Sequence, residues 1–381
     1  MDALFVTVDG GGNLPPALNI AREIVRRGGS ARFLGHEPQR ASIEAAGFRF
    51  EPVAQGRAYD AVAPRSTLSA LRELTAVFAD RGIGADAIRA AKAEPTDIVI
   101  VDCLLLGALT VLIDAQVPTV MLVHTLWSFF QQETRGPIGA ILRIRGIRMH
   151  RVLESPALSL VTVRTDFEPA SQKPRPTGLR HVGVVWQGIP RNACPPAGPS
   201  RVLVSLSTTR FPGQDKVLQN ILDGLDGLDI EAIVTTGPAV DPALLRAPTN
   251  TTIHRYLDHG EVLPDASLVI GHGGHSTTAR ALSYGLPLLV IPMHPLMDQP
   301  AIGRVITRLG AGRMLPKSAK PSAIRATVTE LLADGPHRTA AARLGDSIRK
   351  QDGATIAVDL LHAFSAQSAG NNPVVHAEDP T

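Results

Sequence analysis

The stretch Ser267–Gln299, SLVIGHGGHSTTARALSYGLPLLVIPMHPLMDQ, constrains the fold of this chain more than any other. It reads as a short buried strand over Leu268–Ile270, a glycine turn opening a helix, a second strand over Leu288–Ile291, and a loop closing on Asp298 and Gln299. A strand that breaks at glycines and enters a helix leaves the first N–H groups of that helix without carbonyl partners, so they point at whatever lies above the turn. That arrangement suits an anion. His272 adds a donor, Ser276 and Thr277 either cap the helix or bind a phosphate oxygen, and Gly273 and Gly274 let a ligand reach the backbone. His275 faces either phosphate or solvent. The loop after the next strand brings one carboxylate, Asp298, and one amide, Gln299, to the same end of the sheet, a pair suited to sugar hydroxyls. On spacing alone the same turn also serves as plain packing.

The whole string is far more specific than its glycines. Its His-Gly-Gly-x-x-Thr turn, the following Gly-Leu-Pro and the closing Asp-Gln-Pro resemble the donor-binding signature of glycosyltransferase family 1, the nucleotide-sugar-dependent enzymes with the two-domain GT-B fold. The resemblance implies an α/β chain of two Rossmann-like domains facing across a cleft. It also implies that the turn binds the nucleotide diphosphate and that Asp298 and Gln299 bind the sugar. Upstream, RYLDHGEVLPDASLVIGHGG resembles the family's base-binding segment: Tyr256 stands where many members carry tryptophan, Leu257 would offer backbone groups to the base, and His259 falls at the usual polar position.

At 381 residues the chain has room for two domains of ordinary size. A hydrophobic content of 44% with 19% charged residues fits a globular α/β protein. With 38 basic against 35 acidic residues no polyanion partner is implied, so nucleic acid is not expected. The two cysteines, Cys103 and Cys194, lie in different halves with no metal-ligand spacing; Cys103 reads as a small core residue and Cys194 as exposed. No basic leader or run of about eighteen apolar residues occurs, so a soluble, cytoplasmic protein without a membrane span is expected. A homodimer is compatible with the sequence.

Read in order, the amino-terminal half opens with strand, glycine turn and amphipathic helix, stopped by Gly28 and Gly29. Strands ending near Asp102 and His124 follow. Ligands of open α/β sheets collect beyond the carboxyl ends of the strands, which makes Asn13, His36, Asp102 and His124 candidates for one cleft, although His36 and His254 also read as structural or surface residues. Trp127, Phe129 and Phe130 are expected to line an apolar acceptor pocket. The segment GLRHVGVVWQGIP resembles the family's closing segment of the first domain. The expected organisation is an acceptor domain over residues 1–188, a proline-rich linker over 189–200, a nucleotide-sugar domain over 201–350, a helix over 351–364 crossing back to the first domain, and a disordered tail over 365–381. Ser207, at the end of the strand that opens the second domain, joins the donor-binding set.

Inverting sugar transfer needs a base for the acceptor hydroxyl and charge stabilisation for the departing diphosphate. The helix N-terminus after Gly274 supplies the second, and no DxD-like metal motif ends a strand, so neither a metal nor a cofactor is expected beyond the sugar nucleotide as co-substrate. The base departs from the family pattern. Members usually carry His or Asp in the turn after the first strand, whereas here the turn reads Gly12-Asn13-Leu14-Pro15-Pro16. An asparagine amide does not accept a proton at neutral pH, though Asn13 could position the acceptor. His124 is then the first choice as base, with Asp102 or Asp9 second and a buried structural histidine as the alternative. An acidic acceptor needing little help is a further reading. Three functions follow: a UDP- or dTDP-sugar glycosyltransferase acting on a small, mostly apolar aromatic or polyketide acceptor; a non-catalytic sugar-nucleotide-binding helper; and, more remotely, an epimerase or hydrolase of the donor. The sugar, the acceptor and the atom glycosylated are not written in the sequence.

Overall fold

The computed structural model describes residues 1–10, 12–63, 67–169, 174–185, 190–195 and 197–371. Seven strands build the first sheet: β1 (Asp2–Val6), β2 (Ser30–Gly35), β3 (Arg49–Pro52), β4 (Ile98–Asp102), β5 (Thr119–Val123), β6 (Leu158–Val161) and β7 (Leu179–His181). Six build the second: β8 (Ser200–Ser205), β9 (Ile230–Thr235), β10 (Thr251–His254), β11 (Leu268–Gly271), β12 (Leu288–Val290) and β13 (Gly312–Met314). Every pairing is parallel. The central strands are apolar on both faces, IVIVD in β4 and TVMLV in β5, because helices cover the sheet on either side.

The strand orders are β3-β2-β1-β4-β5-β6-β7 and β10-β9-β8-β11-β12-β13. Each order reverses direction once, between β1 and β4 and between β8 and β11. Chains leaving two such neighbouring strands diverge to opposite faces and open a crevice at their carboxyl ends. The turn bearing Asn13 and the Asp102 end of β4 sit at the first crevice; Ser207 and the 272–274 turn sit at the second.

The two halves meet. Leu126, Val163 and Phe167 of the first pack against Ala279, Ile302, Val305 and Ile306 of the second, enclosing a cavity of only about 10 Å³. The last helix, Gly353–Asn371, lies on the first domain: Ala354, Ala357, Val358 and Leu361 share a core with Ala17, Ile20, Ala21 and Ile24 of the helix Leu14–Arg26, and Arg27 Nη1 pairs with Asp359 at 2.5 Å. That helix runs past Phe364 into the stretch expected to be a disordered tail. Alanine, serine and glutamine continue a helix readily once an apolar face anchors it, which composition alone did not reveal. Residues 372–381 lie outside the described residues, as do Ile189 and Pro196 of the expected linker. Between β3 and β4 run two helices, Thr67–Phe78 and Gly82–Ala93. Asp80 separates them by accepting from the N–H of Gly82 at 2.8 Å and of Arg57 at 2.5 Å. Among the described residues no helix is long and apolar enough to cross a membrane.

Candidate functional site

Two glycines and a histidine ring build the donor turn. Gly273 holds φ +87°, and a Cβ there would stand 2.8 Å from the Gln299 carbonyl oxygen. Gly274 precedes the helix His275–Ser283 as its N-cap without a side-chain cap bond. The first helical bond runs from Thr278 N to Gly274 O, so the N–H groups of His275, Ser276 and Thr277 come before it and face out of the turn. The His272 ring lies against Gly274, at a spacing a Cβ would violate at 2.5 Å. Its Nδ1 is buried without a hydrogen-bond partner among the described residues. One turn thus carries a buried ring nitrogen without a partner and three helical N–H groups without carbonyl partners.

Burial sets the protonation of this region. His272, His275 and His259 are each pushed down to about 4 by loss of hydration, in His275 reinforced by the neighbouring His124 and in His259 by Arg280. All three are neutral at pH 7. In the unfolded chain they take up protons near the ordinary 6.5, so the unfolded state binds more protons between pH 6.5 and 4, and stability is intact above that window and lost as pH falls through it. Urea midpoints compared at pH 7 and pH 5 should therefore show a loss of about 2 kcal/mol per histidine.

Several expected contacts take other forms. His275 does not turn its ring to phosphate or solvent: Nε2 donates to the Thr162 carbonyl of the first domain at 3.2 Å. Asp298 accepts from Thr125 Oγ1 at 2.6 Å, also across the cleft, and burial raises its carboxyl. The Gln299 Oε1 accepts from the N–H of Met293 at 2.7 Å and of His294 at 3.1 Å, which shapes the loop before Asp298. Ser207 Oγ accepts from Thr209 N at 3.0 Å. Ser276 and Thr277 stay half-buried, and neither caps the helix. Tyr256 is 80% exposed, with no ring contact among the described residues to hold it as a wall, while Leu257 packs on the core and His259 Nε2 lies 3.4 Å from Thr235 Oγ1.

Across the cleft, Gly12 comes to the donor helix: a Cβ there would lie 3.3 Å from Ser276 Cβ. Asn13 is buried and its amide is engaged. Nδ2 donates to Val8 O at 2.8 Å and to Asp102 Oδ2 at 2.5 Å, and Oδ1 accepts from Gly10 N at 3.1 Å. Both Nδ2 protons are therefore spent within the protein, which leaves Asn13 no donor for the acceptor and only the second lone pair of Oδ1. Asp102 accepts in addition from Leu104 N at 2.9 Å and lies 3.6 Å from His124 Nδ1. His124 retains 13% side-chain exposure, and its Nε2 has no partner among the described residues. His36, by contrast, is buried against the Arg57 carbonyl at 3.1 Å.

The acceptor aromatics are corrected too. Trp127 and Phe130 are each 3% exposed and belong to the core; only Phe129 keeps part of its surface, packed edge-on against Phe130. The run Trp127–Glu133 is helical, so its bulky residues turn inward where a loop would have displayed them. Two residues were missed. Thr125 has no signal in sequence, since its role depends on docking of the second domain. Glu168, whose carboxyl is held below the usual range by hydrogen bonds from His181, Ser128 and Trp127 against the opposing cost of burial, accepts from Trp127 N at 2.6 Å and Ser128 N at 3.1 Å. It anchors the helix start directly after His124 and Thr125.

The chain is similar in sequence and in fold to several known proteins. Residues 219–362 match the family model "Erythromycin biosynthesis protein CIII-like, C-terminal domain". The 4'-demethylrebeccamycin synthase of Lentzea aerocolonigenes is 24% identical over 95% of this chain and 99% of its own length. The 10-deoxymethynolide desosaminyltransferase of Streptomyces venezuelae is 33% identical, over 44% of this chain and 41% of its own. In fold, CalG4, the calicheamicin glycosyltransferase, superposes with a TM-score of 0.76 at 20% identity, covering 96% of this chain and 98% of that one. With two switch-point sheets facing across a cleft, a glycine-built turn at a helix start in one and a buried carboxylate beside a histidine in the other, the chain is a glycosyltransferase with the GT-B fold, similar to those of natural-product biosynthesis.

Proposed function

We propose that the enzyme is an inverting, metal-independent glycosyltransferase that moves a sugar from a UDP- or dTDP-sugar to a small, mostly apolar natural-product acceptor. The observation that carries this reading is the orphaned, buried Nδ1 of His272 beside the uncapped helix start, a donor set with no protein acceptor. The acceptor oxygen attacks the anomeric carbon as the bond to the diphosphate oxygen breaks. The electron pair leaves on the diphosphate, facing the N–H groups of residues 275–277 and the positive end of their helix. The acceptor proton passes to His124 Nε2, and the Asp102 carboxylate, 3.6 Å from Nδ1, stabilises the imidazolium that forms. Asp298 and Gln299 take the sugar once Thr125 gives up its hydrogen bond to Asp298.

The test is calorimetric titration of the wild type and His272→Ala with UDP and dTDP, followed by product analysis with sugars of the better nucleotide and a panel of phenols and alcohols. Loss of a hydrogen bond to a charged phosphate oxygen should weaken binding by roughly 1–3 kcal/mol. Equal affinity in the two proteins removes His272 from the site, and failure of both nucleotides to bind sinks the donor assignment.

A further inference from the structure

The carboxyl ends of β4 and β5 collect three side chains of metal-ligating type, of which sugar transfer uses only two. One oxygen of Asp102, the sulfur of Cys103 and a ring nitrogen of His124 all lie within 4.8 Å of one another. His124 Nδ1 stands 3.5 Å from Cys103 Sγ and 3.6 Å from Asp102 Oδ2. Zinc bonds of about 2.0–2.1 Å to nitrogen and oxygen and about 2.3 Å to sulfur, set at tetrahedral angles, imply ligand separations of about 3.5 Å for nitrogen to sulfur and about 3.3 Å for nitrogen to oxygen. The observed spacings match these to within a few tenths of an ångström.

The surroundings of the carboxylate fit as well. Asn13 Nδ2 donates to Asp102 Oδ2 and Leu104 N to Oδ1, which fixes the carboxylate plane while each oxygen keeps a second lone pair. Such outer hydrogen bonds orient metal-bound carboxylates and strengthen binding. One thiolate and one carboxylate also neutralise a divalent cation, the condition for holding it where Cys103 is buried and Asp102 nearly so. Three protein ligands leave one tetrahedral position unfilled by protein.

We propose that Asp102, Cys103 and His124 form a three-ligand Zn²⁺ site at the floor of the acceptor cleft, and that filling it silences transfer. On binding, the Cys103 thiol releases its proton to solvent and the sulfur, the carboxylate and the Nδ1 lone pair bond to the ion. The neutral imidazole then carries its only proton on Nε2 and has no lone pair for the acceptor proton. The silencing rests on His124 as the base; the binding does not.

Co²⁺ serves as the probe on the full chain, with Zn²⁺ affinity read by competition with a chromophoric chelator. One equivalent of Co²⁺ should give a thiolate-to-cobalt charge-transfer band that Zn²⁺ abolishes. Cys103→Ala and Cys103→Ser should lose the band and bind Zn²⁺ at least about tenfold more weakly. Nucleotide titration, which reads the second domain, and the circular dichroism spectrum report on folding of the variants. In the wild type Zn²⁺ should stop product formation and a chelator restore it, with potency falling at least about tenfold in the cysteine variants. A wild type without the charge-transfer band, or equal Zn²⁺ affinity in all three proteins, overturns the site. A bound, spectroscopically correct ion that leaves transfer untouched overturns the silencing and the base role of His124, with the metal site standing.

Discussion

Replacing His124 with alanine should lower kcat by roughly 10²–10⁴ on an alcohol acceptor while leaving nucleotide affinity unchanged. Asn13, in the turn after β1, cannot supply the base, because an amide does not accept a proton at neutral pH; its groups are engaged with Val8, Gly10 and Asp102. His124 stands one strand over, at the end of β5, where the same Asp102 carboxylate faces its Nδ1 at 3.6 Å. One carboxylate thus serves two neighbours: it is anchored by the asparagine and directs the imidazole. The drop should shrink steadily as the acceptor is changed from alcohol to increasingly acidic phenols, since a group that ionises unaided gains little from proton removal. Steady-state kinetics across such a series separates a base from a packing residue, whose loss would cost all acceptors alike. A variant with wild-type kcat on an unactivated alcohol would return His124 to the core.

The donor turn could be read from sequence because its physics is local. Glycines at 273 and 274 between an apolar run and a helical one can only make a strand-to-helix turn with exposed N–H groups, and no distant residue is needed to infer it. The β-strand rhythm was legible for the same reason, each parallel strand being a short apolar run. What escaped depends on docking. His275 to Thr162 and Thr125 to Asp298 span 113 and 173 residues, and no periodicity encodes them. Asn13 is intermediate: the sequence showed that it could not be a base, but only the fold shows that Asp102 has bound it. Trp127 and Phe130 turn inward because Trp127–Glu133 is a helix whose start is held by Glu168, brought in from beyond β6 to accept from the N–H groups of Trp127 and Ser128. Tyr256, at the position where many family members carry tryptophan, is 80% exposed.

Adding a single methyl group at Gly273 should cost roughly 2–5 kcal/mol of folding stability, read from urea unfolding with nucleotide absent. Two costs add. A left-handed φ of +87° imposes about 1–2 kcal/mol on any L side chain, and overpacking about 1–3 more. The second cost is hard to escape because the Cβ would meet Val290 Cγ1 at 2.9 Å and the Gln299 carbonyl at 2.8 Å. That carbonyl cannot yield easily, since the Gln299 side chain is tied to the backbone of Met293 and His294. Gly274→Ala provides the contrast. Its φ of −65° is open to any residue, and the atoms nearest the new Cβ are the far end of the His272 ring, a side chain and not backbone. Stability should then change by less than about 1 kcal/mol, while nucleotide affinity falls as it does for His272→Ala, because the displaced ring no longer offers its nitrogen to the diphosphate. Equal unfolding midpoints for Gly273→Ala and the wild type would mean that the turn is not left-handed in solution. The N–H groups of residues 275–277 would then lose the geometry that makes them an anion site.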